Sequence, residues 1–137
     1  MCRRATAGRR GFVWAAVALL GAGCNGGTVD RHALTNDAAT LDSIACEGAL
    51  LARLVAKGKS VHLFTRVQAD ELRLQASNLA DALSERDTVV GLQSRVRAKG
   101  REAAGVARQL ELLRQHPADR MVAQAVARRL DAIGGCA

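Results

Sequence analysis

The five residues Ser84-Glu85-Arg86-Asp87-Thr88, "SERDT" at 84–88, decide the architecture of this chain. They combine cap and turn formers with a local charge cluster, which predicts a turn between two helices. Without that turn a single helix would run from Ser60 to Lys99, about 60 Å at 1.5 Å per residue. The two outcomes are different folds. With a break the chain is all-α, an antiparallel up-down-up-down four-helix bundle. Without it the chain is a long helical hairpin with short C-terminal helices.

Helical periodicity extends outward from the turn in both directions. From Asn36 onward there is one proline and no run of alternating polarity, and Ala, Leu, Arg and Gln are abundant. Helix one is expected from Asn36 or Asp37 to Lys57, with Leu41, Ile44, Leu51 and Val55 on one face and Gly58 just past its end. Helix two is expected from Ser60 to Arg86, with the stripe Phe64, Leu72, Ala76, Leu79 and Leu83. Thr65 and Gln68 have capping-box spacing, so a start at Thr65 is the alternative. Helix three is expected from Thr88 to Gln115, with Val89, Leu92, Val96, Ala103, Val106, Leu110 and Leu113 at near-heptad spacing. Pro117 suits the first turn of helix four, which carries Val122, Val126, Leu130 and Ile133 and stops at Gly134-Gly135. Residues 25–35, "NGGTVDRHALT", are Gly-rich, polar and aperiodic, and read as a tether of at most about 40 Å.

One internal similarity stands out. "LARLVAKGK" at 51–59 and "QSRVRAKGR" at 93–101 share Arg, Ala, Lys and Gly at an offset of 42. Either a helical unit is duplicated, with helix three breaking at Gly100, or both stretches use common helix-ending residues.

The first residues read as an export signal. "MCRRATAGRR" at 1–10 has four arginines and no acid, "GFVWAAVALL" at 11–20 is uncharged, and Gly21, Ala22 and Gly23 are small. A charged, then apolar, then small-residue sequence is a secretory signal peptide, too short for a membrane span. The alternative is a buried helix of the fold. The run Leu19-Leu20-Gly21-Ala22-Gly23-Cys24 resembles the lipobox of bacterial lipoproteins, with Gly21 where leucine is usual. That resemblance implies cleavage before Cys24 and a diacylglycerol thioether (palmitate-type chains) on its sulfur. It also implies a membrane anchor facing the periplasm or cell surface. Asn25 after the cysteine leans toward the outer membrane of a Gram-negative host. Ordinary signal-peptidase cleavage, giving a soluble secreted or periplasmic protein, is the alternative. The expected organisation is a signal peptide at 1–23, a lipidated cysteine and tether at 24–35, and a helical domain at 36–137.

Removing residues 1–23 changes the composition that counts. Four of the 20 Lys and Arg leave, all 13 acids stay, and the net charge falls from +7 to +3. Phe64 becomes the only aromatic, so there are no stacking platforms for bases, and nucleic acid is not an expected partner. Cys46 and Cys136 are left as a lone pair in an oxidising compartment, which predicts a disulfide. In the four-helix path the last helix descends beside the first, so the bundle and the disulfide support each other.

Chemistry-bearing patterns are few. His32, His62 and His116 lack helical metal-ligand partners, and there is no Glu-x-x-His, Cys-x-x-Cys or Gly-x-Ser-x-Gly. No enzyme activity, metal or cofactor is expected. Arg95, Arg97, Lys99 and Arg101 form the largest charge feature, a solvated face or a contact for anionic lipid or envelope polymer. "FTRVQ" at 64–68 resembles a variant of the Leu-Thr-x-x-Gln motif of small helical periplasmic stress chaperones, matching at Thr65 and Gln68. The expected role is a structural or protein-interaction module of the cell envelope with a protein partner there. A periplasmic helical chaperone or stress sensor is the alternative.

Overall fold

The computed structural model describes residues 28–136. They form four helices, α1 Arg31–Ala56, α2 His62–Glu85, α3 Gln93–Gln115 and α4 Arg120–Gly134. The helices pack as an up-down-up-down bundle. α2 packs most extensively on α3 and α1 on α4, while α2 and α4 sit on a diagonal and do not touch. The chain breaks after Glu85, and no helix runs through Asp87.

The break is longer and later than the charge cluster suggests. Ser84 and Glu85 are still helical, and residues 86–92 form the connection. Helix three therefore starts at Gln93, not Thr88. Thr88 is held in an isolated parallel bridge with Val29, and Gly91 has φ +92, outside any right-handed helix. Val89 consequently lies in the loop and is exposed, and it does not belong to the α3 stripe.

The start of α1 also differs from expectation. Asp30 is the N-cap, its carboxylate accepting the Ala33 N–H at 2.8 Å, so the helix begins five or six residues before Asn36 or Asp37. Thr35, read as the end of the tether, and Asn36, read as a helix start, lie inside it: the Thr35 hydroxyl donates to the Arg31 carbonyl, and the Asn36 amide meets the His32 ring. Upstream of the cap the chain stays ordered. The Val29 N–H donates to the Asp87 carbonyl at 2.7 Å, its carbonyl accepts from Val89 N–H, and its side chain is 1% exposed. The stretch read as tether thus contributes residues 28–35 to the fold.

α1 ends as its sequence predicts. Lys57 is the C-cap, Gly58 takes φ +67, and the Gly58 and Lys59 N–H groups bond the Val55 and Leu54 carbonyls. Those two bonds are the Schellman pair that closes a helix on glycine. α4 begins after Asp119, whose carboxylate accepts from the Met121 and Val122 N–H groups. Pro117 accordingly lies in the preceding turn, ahead of the cap and not in the helix.

Two cores result. The larger joins all four helices through Leu41, Leu72, Val106, Leu110, Leu113, Val126 and Leu130. The smaller lies at the end where α1 and α3 begin and α2 ends, and consists of Val29, Leu34, Leu83, Leu92 and Val96. α4 has 15 residues against 26 in α1. It stops partway along α1, so the smaller core is built by three helices and Val29.

The similar segments 51–59 and 93–101 have different structural roles. The first ends α1 on a left-handed glycine, whereas the second opens α3, which continues unbroken through Gly100. Common helix chemistry accounts for the match.

Candidate functional site

Cys46 and Cys136 form a disulfide with Cα atoms 5.4 Å apart. Cys46 lies in the middle of α1 and Cys136 just past the end of α4, so the bond ties the short last helix to the first. Gly134 makes the approach possible. A methyl built there would lie 2.9–3.0 Å from both sulfurs and from Ala45 Cβ. The left-handed Gly135 then turns the chain toward Cys136.

The basic run at 95–101 divides between two clefts. Arg97 and Arg101 border an open cleft of about 610 Å³ between α2 and α3, with Arg86, Asp81 and Asp87 on its other side. Arg95 and Lys99 face a second cleft, beside Arg31 on α1, where α4 does not reach. Lys99 is paired with Glu102 at 2.6 Å. The four residues therefore do not make one cationic stripe, and acids accompany them in the larger cleft.

Thr65 and Gln68 do not form a capping box. α2 begins at His62 after an extended Val61, and Thr65 is a turn inside. Its hydroxyl is fully buried, donates to the Val61 carbonyl and meets Ser60 Oγ at 2.8 Å. Gln68 reaches α1, donating to Glu47 at 3.0 Å. Phe64 is not a core residue: it is 55% exposed, and Thr65 points inward in its place. The core face of α2 is Thr65, Ala69, Leu72, Ala76 and Leu83, shifted by one residue at its first turn.

That shift produces a surface the sequence stripe concealed. Val61, Leu63, Phe64 and Val67 are 55–72% exposed on the first turns of α2. Leu63 and Phe64 lie four and three residues before Val67 on the helix, and extended Val61 immediately precedes it. Lys57 and Lys59 in the preceding turn and Arg66 within the patch are exposed, as are Arg120 and Met121 at the start of α4. The Arg120 guanidinium lies against Gly58, which brings the two turns together.

The strongest electrostatic feature joins α2 to α3. Arg114 donates to both carboxylate oxygens of Glu111 at 2.7 and 2.8 Å, Arg73 stands 3.3 Å from Glu111, and Asp70 pairs with Arg73 and with Arg114. Hydrogen bonding from Arg114 outweighs desolvation and, with Gln115 and the two guanidinium charges, holds the Glu111 carboxyl down at about 2. The same contact pushes Arg114 further up. All four side chains are partly exposed, so the network orients α2 on α3 and adds little to stability.

Among the described residues no group of three or more His, Cys, Asp or Glu side chains converges, and no helix is long and apolar enough to cross a membrane. Cys24 lies outside the described residues. No protein-family model, curated protein or solved structure matches the chain.

Proposed function

We propose that this protein is a small lipoprotein of the cell envelope, anchored through acylated Cys24, whose helical bundle is a non-catalytic structural or protein-interaction module. The observation that carries the proposal is the ordered sequence of four arginines, an uncharged decapeptide and the small residues Gly21, Ala22 and Gly23 before Cys24. The Cys46–Cys136 disulfide accords with an oxidising compartment. Two or more acyl chains suffice for stable attachment.

Because Val29 belongs to the fold, the chain between Cys24 and the bundle spans at most about 17 Å. An anchor at Cys24 would hold the end bearing the 86–92 loop close to the bilayer. Intact mass of the N-terminal peptide from membrane-extracted protein tests the anchor. A peptide beginning at Cys24 with thioether-linked diacylglycerol is expected, and Cys24→Ala should abolish that modification. An unmodified N-terminus would make the protein a soluble exported one.

A further inference from the structure

We propose that the end of the bundle carrying the α1–α2 turn is a docking tip for an anionic phospholipid surface, separate from any attachment through Cys24. Val61, Leu63, Phe64 and Val67 project from it, joined by Met121, which is 74% exposed. Lys57, Lys59, Arg66 and Arg120 surround them, all exposed and without an ion-pair partner among the described residues.

Of the nearby carboxylates, Asp70 and Glu111 are paired with Arg73 and Arg114, and Glu47 and Glu71, which bond only neutral Gln side chains, lie at least a turn further from the end of the bundle. Asp119, capping α4, is the one carboxylate among the four cations, so the tip offers an excess of positive charge around projecting apolar side chains. Apolar residues enter the acyl boundary while Lys and Arg meet anionic headgroups, the combination that binds a membrane interface. The side chains are all more than half exposed, which suits a deformable bilayer better than a partner helix. At the other end of the bundle Arg31, Arg95, Arg97 and Arg101 are also exposed and outside any ion pair among the described residues, but exposed Asp30, Asp81, Glu85 and Asp87 stand among them, Arg86 pairs with Asp37 and Lys99 with Glu102, so charge there is balanced.

The tip lies about 36 Å, the length of α2, from the loop that holds Val29. Site-specific quenching can therefore tell the two ends apart in the full chain. Trp14→Phe removes the native tryptophan, and Leu63→Trp or Val90→Trp places a single reporter at the tip or in the 86–92 loop, where Val90 is 91% exposed. Vesicles of phosphatidylglycerol and phosphatidylcholine with brominated acyl chains are the probe, and phosphatidylcholine alone is the control.

The proposal expects roughly twofold quenching at position 63 on the mixed vesicles, little at position 90, and loss of the effect without phosphatidylglycerol. Lys57→Glu with Lys59→Glu should weaken vesicle affinity at least about 30-fold, and added salt should weaken it in the unsubstituted chain. Phe64→Trp is a second reporter should Leu63→Trp disturb α2. Quenching at 90 alone, equally at 63 and 90, or at neither would overturn the proposal. So would quenching independent of phosphatidylglycerol, or a charge-reversal variant that binds as tightly as the parent. Every reporter variant also carries Cys24→Ala, since acyl chains there would themselves bring the 86–92 loop to the vesicle, and the anchor keeps its own test in the N-terminal mass.

Discussion

The two halves of the bundle are built differently. In the half that contains α4, four helices close around small residues. A methyl built on Gly48 would lie 2.8 Å from Leu110 Cδ2 and 3.0 Å from Leu130 Cδ1, both on fully buried leucines. That glycine lets α1 approach α3 and α4 together. In the other half α4 is absent, and three helices are completed by Val29, an isolated bridge residue pinned to the α2–α3 loop. There the contacts are looser: a methyl on Gly100 would meet Leu83 Cβ at 3.7 Å, an ordinary contact. A fourth helix demands tight, small-residue packing, whereas a three-helix end tolerates slack and needs a plug.

The disulfide stands where α4 ends, and its removal should have the largest effect. Cys46→Ala with Cys136→Ala opens a loop closed over a sequence separation of 90. A loss of about 4.6 kcal/mol is expected from chain entropy, measured by urea denaturation of oxidised, reduced and substituted protein. An unchanged midpoint on reduction would show that the four-helix half holds α4 without its staple.

Gly48→Ala should then destabilise by roughly 1–3 kcal/mol, because two packed leucines must move. Val29→Ala should cost about 1–2 kcal/mol for the two methyl groups and the gap they leave. Its distribution matters more than its size. Amide exchange should accelerate around Leu34, Leu83 and Leu92 and remain slow around Leu110 and Leu130. Uniform acceleration would erase the distinction between the halves. Gly100→Ala should go the other way, raising stability by up to about 1 kcal/mol, since alanine is the better helix former and there is space for its methyl. A destabilised Gly100→Ala would mean that the looser half is as tightly packed as the other.

The smallest effect is electrostatic and belongs to the four-helix half. Glu111 has a folded-state pKa of about 2, below its ordinary value of 4.5. A depressed carboxyl pKa contributes stability above the unfolded value, and that contribution is lost as pH falls from about 4.5 through 2. Thermal midpoints measured across that window should fall less steeply in Glu111→Gln than in the parent, with the two curves closest at the acid end.

The helices were legible because their signals are repeated. Leu41, Ile44, Leu51 and Val55 in α1 and Val96, Ala103, Val106, Leu110 and Leu113 in α3 all pack inward at the spacing that identified them. The disulfide was legible by elimination once Cys2 and Cys24 were set aside. Element ends were less so, since each depends on one or two competing residues. Asp30 won over Asn36 as a cap, and Thr35 and Asn36 found bonding partners inside the helix. At α2 the competition set the surface. Buried Thr65 satisfies its hydroxyl on the Val61 carbonyl and on Ser60, which lets a polar residue face the core and turns Phe64 outward. A hydropathy stripe assigns those two positions the other way round.

Composition and periodicity by themselves determined an all-helical chain, four amphipathic segments, a glycine-closed α1 and one cysteine pair. These are local properties, set by propensity, spacing and capping chemistry within a few residues. Tertiary structure alone decided that α4 stops short, that Val29 fills the end it leaves uncovered, that the basic run at 95–101 splits between two clefts, and that the apolar first turns of α2 face solvent among unpaired cations. Each of those depends on which residues distant in sequence meet, and burial is a property of the pair, not of either residue.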